Sequence, residues 1–198
     1  REFSHSLINY FPQMLKGNLR KDFDNFPWVK NEKHLDSWKK GMTGYPIVDA
    51  GMRELNETGW MHNRVRMIVA SFLVKHLRIH WMEGEKHFKN CLVDYNEASN
   101  VAQWQWVAGC GADAAPYFRI FNPILQGEKF DKDGIYTKKW VPELFNMPNK
   151  FLYKPWELEK KYQEQIKVII GRDYPEPMVD HATARNAALE AFQKIKKN

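Results

Sequence analysis

Cysteine is nearly absent: Cys91 and Cys110 are the two in 198 residues, too few for a disulfide scaffold, so a reducing compartment is the default. No charged-then-apolar leader is visible, and secretion is not expected. Long apolar runs are missing as well. The longest, Met67 to Val74, falls far short of the ~20 residues needed to cross a bilayer as a helix. No segment alternates apolar and polar residues convincingly enough for a strand. Glycine never forms a phosphate-cradling loop, and HExxH, CxxC and GxSxG are all absent. His76 and His80 stand at i and i+4, but with no acidic or cysteine third ligand nearby, metal chemistry is not supported.

What is abundant is charge and aromatic surface. Lysine and arginine number 30 against 24 acids, a net +6, which favours an anionic partner such as nucleic acid or a phosphate-bearing cofactor. Phenylalanine, tyrosine and tryptophan make up 14% of the chain, with tryptophan at 28, 38, 60, 81, 104, 106, 140 and 156. Eight indoles exceed what a routine core requires, although each could simply pack.

The period of the pattern is helical. Met61, Val65, Ile68, Val69, Phe72, Leu73, His76 and Leu77 recur at i, i+3, i+4 and i+7, which predicts a long central helix from Met61 to His80. Arg64, Arg66, Lys75 and Arg78 share it, and any of them that is buried needs a partner. Thr43-Gly44-Tyr45-Pro46 reads as a turn into a shorter helix closed by Gly59. Gly84 to Leu92, Asn96 to Ala108 and Val179 to Lys197 are further helices, the last with Lys194, Lys196 and Lys197 at the cation-favouring end. Residues 109–123 and 136–177 are rich in proline, glycine and aromatics and read as loops. The fold class expected is therefore all-α, in one domain. The chain opens on Arg1-Glu2-Phe3 without Met, in what reads as the middle of a helix, and suggests part of something longer.

Five ordered segments carry the chemistry: Thr43-Gly44-Tyr45-Pro46-Ile47-Val48-Asp49-Ala50, Gly59-Trp60-Met61-His62-Asn63-Arg64-Val65-Arg66-Met67, Asp94-Tyr95-Asn96-Glu97-Ala98-Ser99-Asn100, Trp104-Gln105-Trp106 and Arg119-Ile120-Phe121-Asn122-Pro123. Together, from residue 1 to about residue 195, they resemble the flavin-binding part of the photolyase and cryptochrome family, and look most like its bacterial-type (class I) enzymes for cyclobutane pyrimidine dimers. The resemblance implies an all-α domain holding FAD and light-driven repair by electron transfer from reduced FAD to a lesion flipped out of DNA. A cryptochrome-like photoreceptor without repair is the alternative.

On that resemblance, Arg66 and Asp94 correspond to a buried ion pair beside the reactive edge of the flavin, and Asn100 faces its redox-active nitrogen. Asn96 stands where the family usually has a second acid, and its carbonyl could still accept a hydrogen bond from the cofactor. Asn63 would bridge adenine and lesion, Arg64 would reach DNA and Met67 would pack on the thymines, a soft thioether against stacked rings. Relatives that repair the other ultraviolet photoproduct place a histidine at Asn63's position. Trp106 would be the wall on which the flipped base rests, and Trp60 the pocket floor. Trp104, Trp81 and Trp28 match the proximal, middle and surface members of an electron-transfer chain, while Trp38, Trp140 and Trp156 are assigned to structure. Arg119, Gln126 and Lys129 match backbone-contacting positions, which would position DNA without reading its sequence.

The family's amino-terminal antenna domain, with its folate or deazaflavin pigment, and its upstream phosphate-cradling FAD segment are expected to lie outside residues 1–198. The resemblance further implies a monomer without membrane attachment, acting on damaged DNA in the bacterial cytoplasm at the nucleoid.

Overall fold

The computed structural model describes residues 1–196, and every described regular element is helical. In chain order these are α1 (Glu2–Tyr10), α2 (Glu32–Lys40), α3 (Pro46–Thr58), α4 (Asn63–Ser71), α5 (Trp81–Cys91), α6 (Glu97–Ala108), α7 (Pro123–Phe130), α8 (Ile135–Trp140), α9 (Lys160–Gln165) and α10 (His181–Lys196). An isolated bridge between Ile170 and Tyr174 is the only β pairing among the described residues.

α3 is the hub. It starts on Pro46 and stops at Gly59, whose φ of 71° is the left-handed cap expected from the sequence. It packs against α2, α4, α7 and α8, so nearly every residue from Pro46 to Leu55 is buried. Its entry turn is fixed by Asp49, whose fully buried carboxylate accepts from Thr43 N (2.7 Å), Thr43 Oγ1 (2.6 Å) and Gly44 N (3.0 Å), and from the Tyr174 hydroxyl. The sequence motif Thr43 to Asp49 is thus a folding device that ties the start of α3 to the C-terminal region.

The expected Met61–His80 helix is shorter and broken. His62 caps α4, accepting from Arg64 N through Nδ1, and the α-helix ends at Ser71. Phe72–His76 is a π-helical turn, in which Leu77 N reaches back to Phe72 O. Arg78 then takes a φ of 51°, and His80 caps α5 by accepting from Met82 N. The apolar spacing survives because the wider turn keeps Phe72, Leu73 and His76 facing inward. The buried cation on this element is Lys75, with no exposed surface. Its ammonium lies 3.6 Å from the centre of the Phe192 ring and 3.5 Å from Ala108 O.

α5 begins at Trp81, three residues before the expected Gly84, and Asn96 is the cap of α6 rather than its first turn. Residues 136–177 hold α9, the end of α8 and 3₁₀ turns at Pro142–Leu144, Asn149–Phe151 and Pro155–Glu157, so the prolines start short turns instead of abolishing order. Lys197 lies outside the described residues. No helix among them is long and apolar enough to cross a membrane.

Candidate flavin cleft and nucleic-acid face

Between α4 and α6, beside the loop that joins α5 to α6, lies an open cavity of about 190 Å³. Seven of the residues singled out by sequence line it: Asn63, Arg66, Met67, Asp94, Asn96, Asn100 and Trp104. Phe88, Leu92, Val107 and Ala70 supply its apolar wall. Trp60 does not line this cavity. It is 45% exposed, because the α3–α4 connection carries it outward beside His62.

Arg66 donates through Nε to Met61 O (2.6 Å) and through Nη2 to both oxygens of Asp94 (3.0 and 2.9 Å). The pair is not sealed in the interior: the side chains are 24% and 49% exposed, since Asp94 sits on the loop at the cavity mouth. Asn63 and Met67 share one face of α4, 4.0 Å apart through Nδ2 and Sδ. Asn96 uses its side-chain oxygen to cap α6, accepting from Ser99 N (3.0 Å), and its amide nitrogen lies 3.5 Å from His5 Nε2. Part of its acceptor capacity is therefore already committed to the backbone.

Glu85 is the residue that sequence reasoning missed. From α5 it accepts hydrogen bonds at Oε1 from Asn100 Nδ2 (3.2 Å) and from the Tyr95 hydroxyl (2.9 Å). The Asn100 amide nitrogen is also 3.4 Å from Glu85 O, so the amide is oriented by its donor end and its oxygen remains an acceptor. Burial, and then the Glu85 carboxylate, push the Tyr95 hydroxyl pKa well above its ordinary value. No local sequence signal marks Glu85; only the packing of α5 on α6 brings it to Asn100.

Trp104 lines the cavity, while Trp81 and Trp28 are joined to each other through His80. Trp104 is buried against Gly84, where an added Cβ would stand 2.1 Å from its Cη2. It also meets Phe88 and Trp38 edge-on, with ring centres 5.1 and 6.2 Å away. Trp81 is fully buried and donates to Asn18 Oδ1 at 2.8 Å. His80 stacks on Trp81 with 5.7 Å between ring centres, and Trp28 meets the other side of His80 at 5.0 Å. Trp28 lines a surface groove with Lys30, Glu32 and Leu35. Trp38 donates to Val69 O, Trp140 is buried and Trp156 packs on Tyr45.

The remaining expected contact residues do not line this cavity. Trp106 lines a depression with Phe3, Leu7 and Gly111, and the Arg119 guanidinium lies 6.0 Å from its ring centre. Arg64 and Lys129 each lie against the Phe130 ring. Gln126 Oε1 is buried without a partner. His76 and His80 diverge: His76 Nε2 is 2.8 Å from His181 Nδ1, and His80 belongs to the indole row. Among the described residues no three metal-ligating side chains converge.

Comparison with known proteins follows this geometry. Residues 1–194 match the family described as the FAD binding domain of DNA photolyase. The deoxyribodipyrimidine photo-lyase of Agrobacterium fabrum is 56% identical over 197 residues, which cover 100% of this chain and 41% of that protein. The crystal structure of a bacterial class III photolyase from Agrobacterium tumefaciens superposes with a TM-score of 0.96 at 56% identity, over 100% of this chain and 41% of that one. A cryptochrome from Synechocystis gives 0.90 at 39% identity, over 96% and 39%. The chain thus spans about two-fifths of the length of these relatives. With the match running almost end to end and seven of the expected residues lining one cleft, the chain belongs to the photolyase and cryptochrome family, in its FAD-binding domain.

Proposed function

We propose that these residues are the C-terminal part of the flavin-holding domain of a DNA photolyase that opens cyclobutane pyrimidine dimers in light, acting as a monomer on damaged DNA in the bacterial cytoplasm, at the nucleoid. The antenna domain and its folate or deazaflavin pigment belong, on this reading, to a longer protein. The observation that carries it is the convergence on one cleft of the Arg66–Asp94 pair, the Asn100 amide and the buried Trp104. For the subdivision within photolyases, the 56% identical class III structure favours class III over the class I expected from the motifs.

The donor set suits FAD: a guanidinium and a carboxylate at the mouth, an oriented amide acceptor inside, and an apolar wall beneath. Reduced FAD, when bound and excited, supplies the electron that splits the dimer and receives it back. Arg66 and Asp94 would hold the polar edge of the cofactor, each oriented by the other. Asn100 Oδ1 would hold the proton of a ring N–H without gaining charge, because Glu85 fixes the amide nitrogen. Asn63 and Met67 would meet the lesion, with Trp106 and Arg119 beside it. Trp28, Trp81 and Trp104 mark a route for an electron from the surface groove to the cavity wall.

The deciding experiment compares loss of dimers from irradiated duplex DNA, in blue light and in darkness, by the FAD-loaded protein containing this chain. Light-dependent loss is expected; equal rates in light and dark would exclude the repair reading. The cryptochrome likeness, TM-score 0.90, supports a second reading, a photoreceptor without repair. It would bleach and recover its flavin absorbance in light while leaving dimers intact.

A further inference from the structure

Phe130 closes α7 with 47% of its surface exposed, and two cations share its ring. The Arg64 guanidinium carbon lies 4.6 Å from the ring centre and the Lys129 ammonium 5.4 Å. Each contact is weak at an exposed site, and the two charges repel one another. A carboxylate normally relieves such crowding. Among the described residues, neither side chain forms an ion pair or a hydrogen bond.

Neither neighbouring acid pairs with these cations. Asp131 accepts from Tyr136 N (3.1 Å), Thr137 N (2.8 Å) and the Tyr153 hydroxyl (2.7 Å). Glu128, next to Lys129 in the chain, forms no ion pair with either cation. The ring is also held in place. Gly127 rests on Tyr153 so closely that an added Cβ would stand 2.2 Å from that ring, and the pinned Asp131 directly follows Phe130. An exposed phenyl on a fixed base, loaded with two cations and no anion, is a poor arrangement for the isolated protein and a good one for receiving an anion.

We infer that Phe130 is a positioning residue that holds Arg64 and Lys129 as a two-pronged clamp for one phosphodiester of the nucleic-acid backbone. The inference rests on the proposed DNA-repair reading and adds to it a residue with no charge of its own. A guanidinium laid over a ring keeps its N–H edge for phosphate and loses less freedom on binding. The clamp is indifferent to base sequence and to the lesion, so its loss weakens damaged and undamaged duplex alike.

The test measures the affinity of the FAD-loaded protein for undamaged and dimer-containing duplex over a range of salt concentrations. Phe130→Leu keeps apolar bulk and removes the ring, Phe130→Trp restores a ring, and Arg64→Ala/Lys129→Ala removes both prongs. Phe130→Leu should weaken both duplexes by about threefold to tenfold, and Phe130→Trp should recover the loss. In the double-alanine background Phe130→Leu should have no further effect, and that background should flatten the salt dependence. Wild-type affinity in Phe130→Leu, or an undiminished loss without the prongs, overturns the clamp while leaving the repair reading intact. An unchanged salt slope in the double-alanine protein overturns the clamp and the assignment of these cations to DNA. Light-dependent dimer loss, measured separately, decides the repair reading itself.

Discussion

At the scale of single residues, the cleft depends on side chains whose neighbours are distant in sequence. Trp104 can approach α5 because residue 84 is glycine, and any Cβ there would overlap the indole. Gly84→Ala should therefore displace Trp104 or strain α5, costing about 1–3 kcal/mol; denaturant unfolding measures the loss, and a changed tryptophan emission locates it. Glu85 organises Asn100 and Tyr95 through one carboxylate oxygen. Buried His76, paired with half-buried His181, shows what burial does to charge: desolvation, and then its partner imidazole, lower the His76 pKa to about 3.

Since the unfolded His76 titrates near 6.5, the unfolded chain binds more protons between those two values. Its contribution to stability is complete above that range and declines as pH falls through it. Between pH 6.5 and about 5 this one group should cost about 2 kcal/mol, and unfolding free energies measured at both pH values should show a smaller difference in His76→Gln. His87, lowered to about 4 chiefly by burial, acts in the same direction.

At the scale of elements, the start of α3 and the row of indoles are each fixed by polar groups from another part of the chain. Asp49 joins the Thr43–Gly44 turn to Tyr174, and truncating it would leave buried donors unpaired. Asp49→Ala should lose about 3 kcal/mol or more, seen as a lower unfolding midpoint. Gln105 is wholly buried between two tryptophans of very different exposure. It donates to Met14 O and Gly17 O and accepts from Leu19 N, which fixes the loop bearing Asn18, the acceptor for Trp81. The Trp104-Gln105-Trp106 motif therefore reaches three places at once: the cavity, the N-terminal loop and the depression lined by Trp106.

At the scale of the whole molecule, Trp81 and Trp104 belong to α5 and α6 while Arg64 and Lys129 belong to α4 and α7, so the proposed supply of electrons and the proposed grip on DNA are separable. Trp28→Phe should abolish or slow photoreduction of the bound flavin, followed by absorbance under blue light, without altering the salt dependence of DNA binding. A shared loss would mean that the indole supports the fold rather than the transfer of charge.

The amino-acid sequence by itself determined the helical class, because apolar spacing near 3.6 residues needs no knowledge of partners. It also determined the ends of α3, where proline and glycine act locally, and its resemblance to a known family singled out Asn63, Arg66, Met67, Asp94, Asn96, Asn100 and Trp104, which line one cavity. Only the tertiary structure decided the break after Ser71, the exposure of the Arg66–Asp94 pair, the outward turn of Trp60, and the parts played by Glu85, Gln105 and Phe130. Periodicity records which side of a helix is apolar. Whether a polar side chain there meets solvent, a distant donor or a cation depends on contacts between segments far apart in the chain, and no local pattern encodes them.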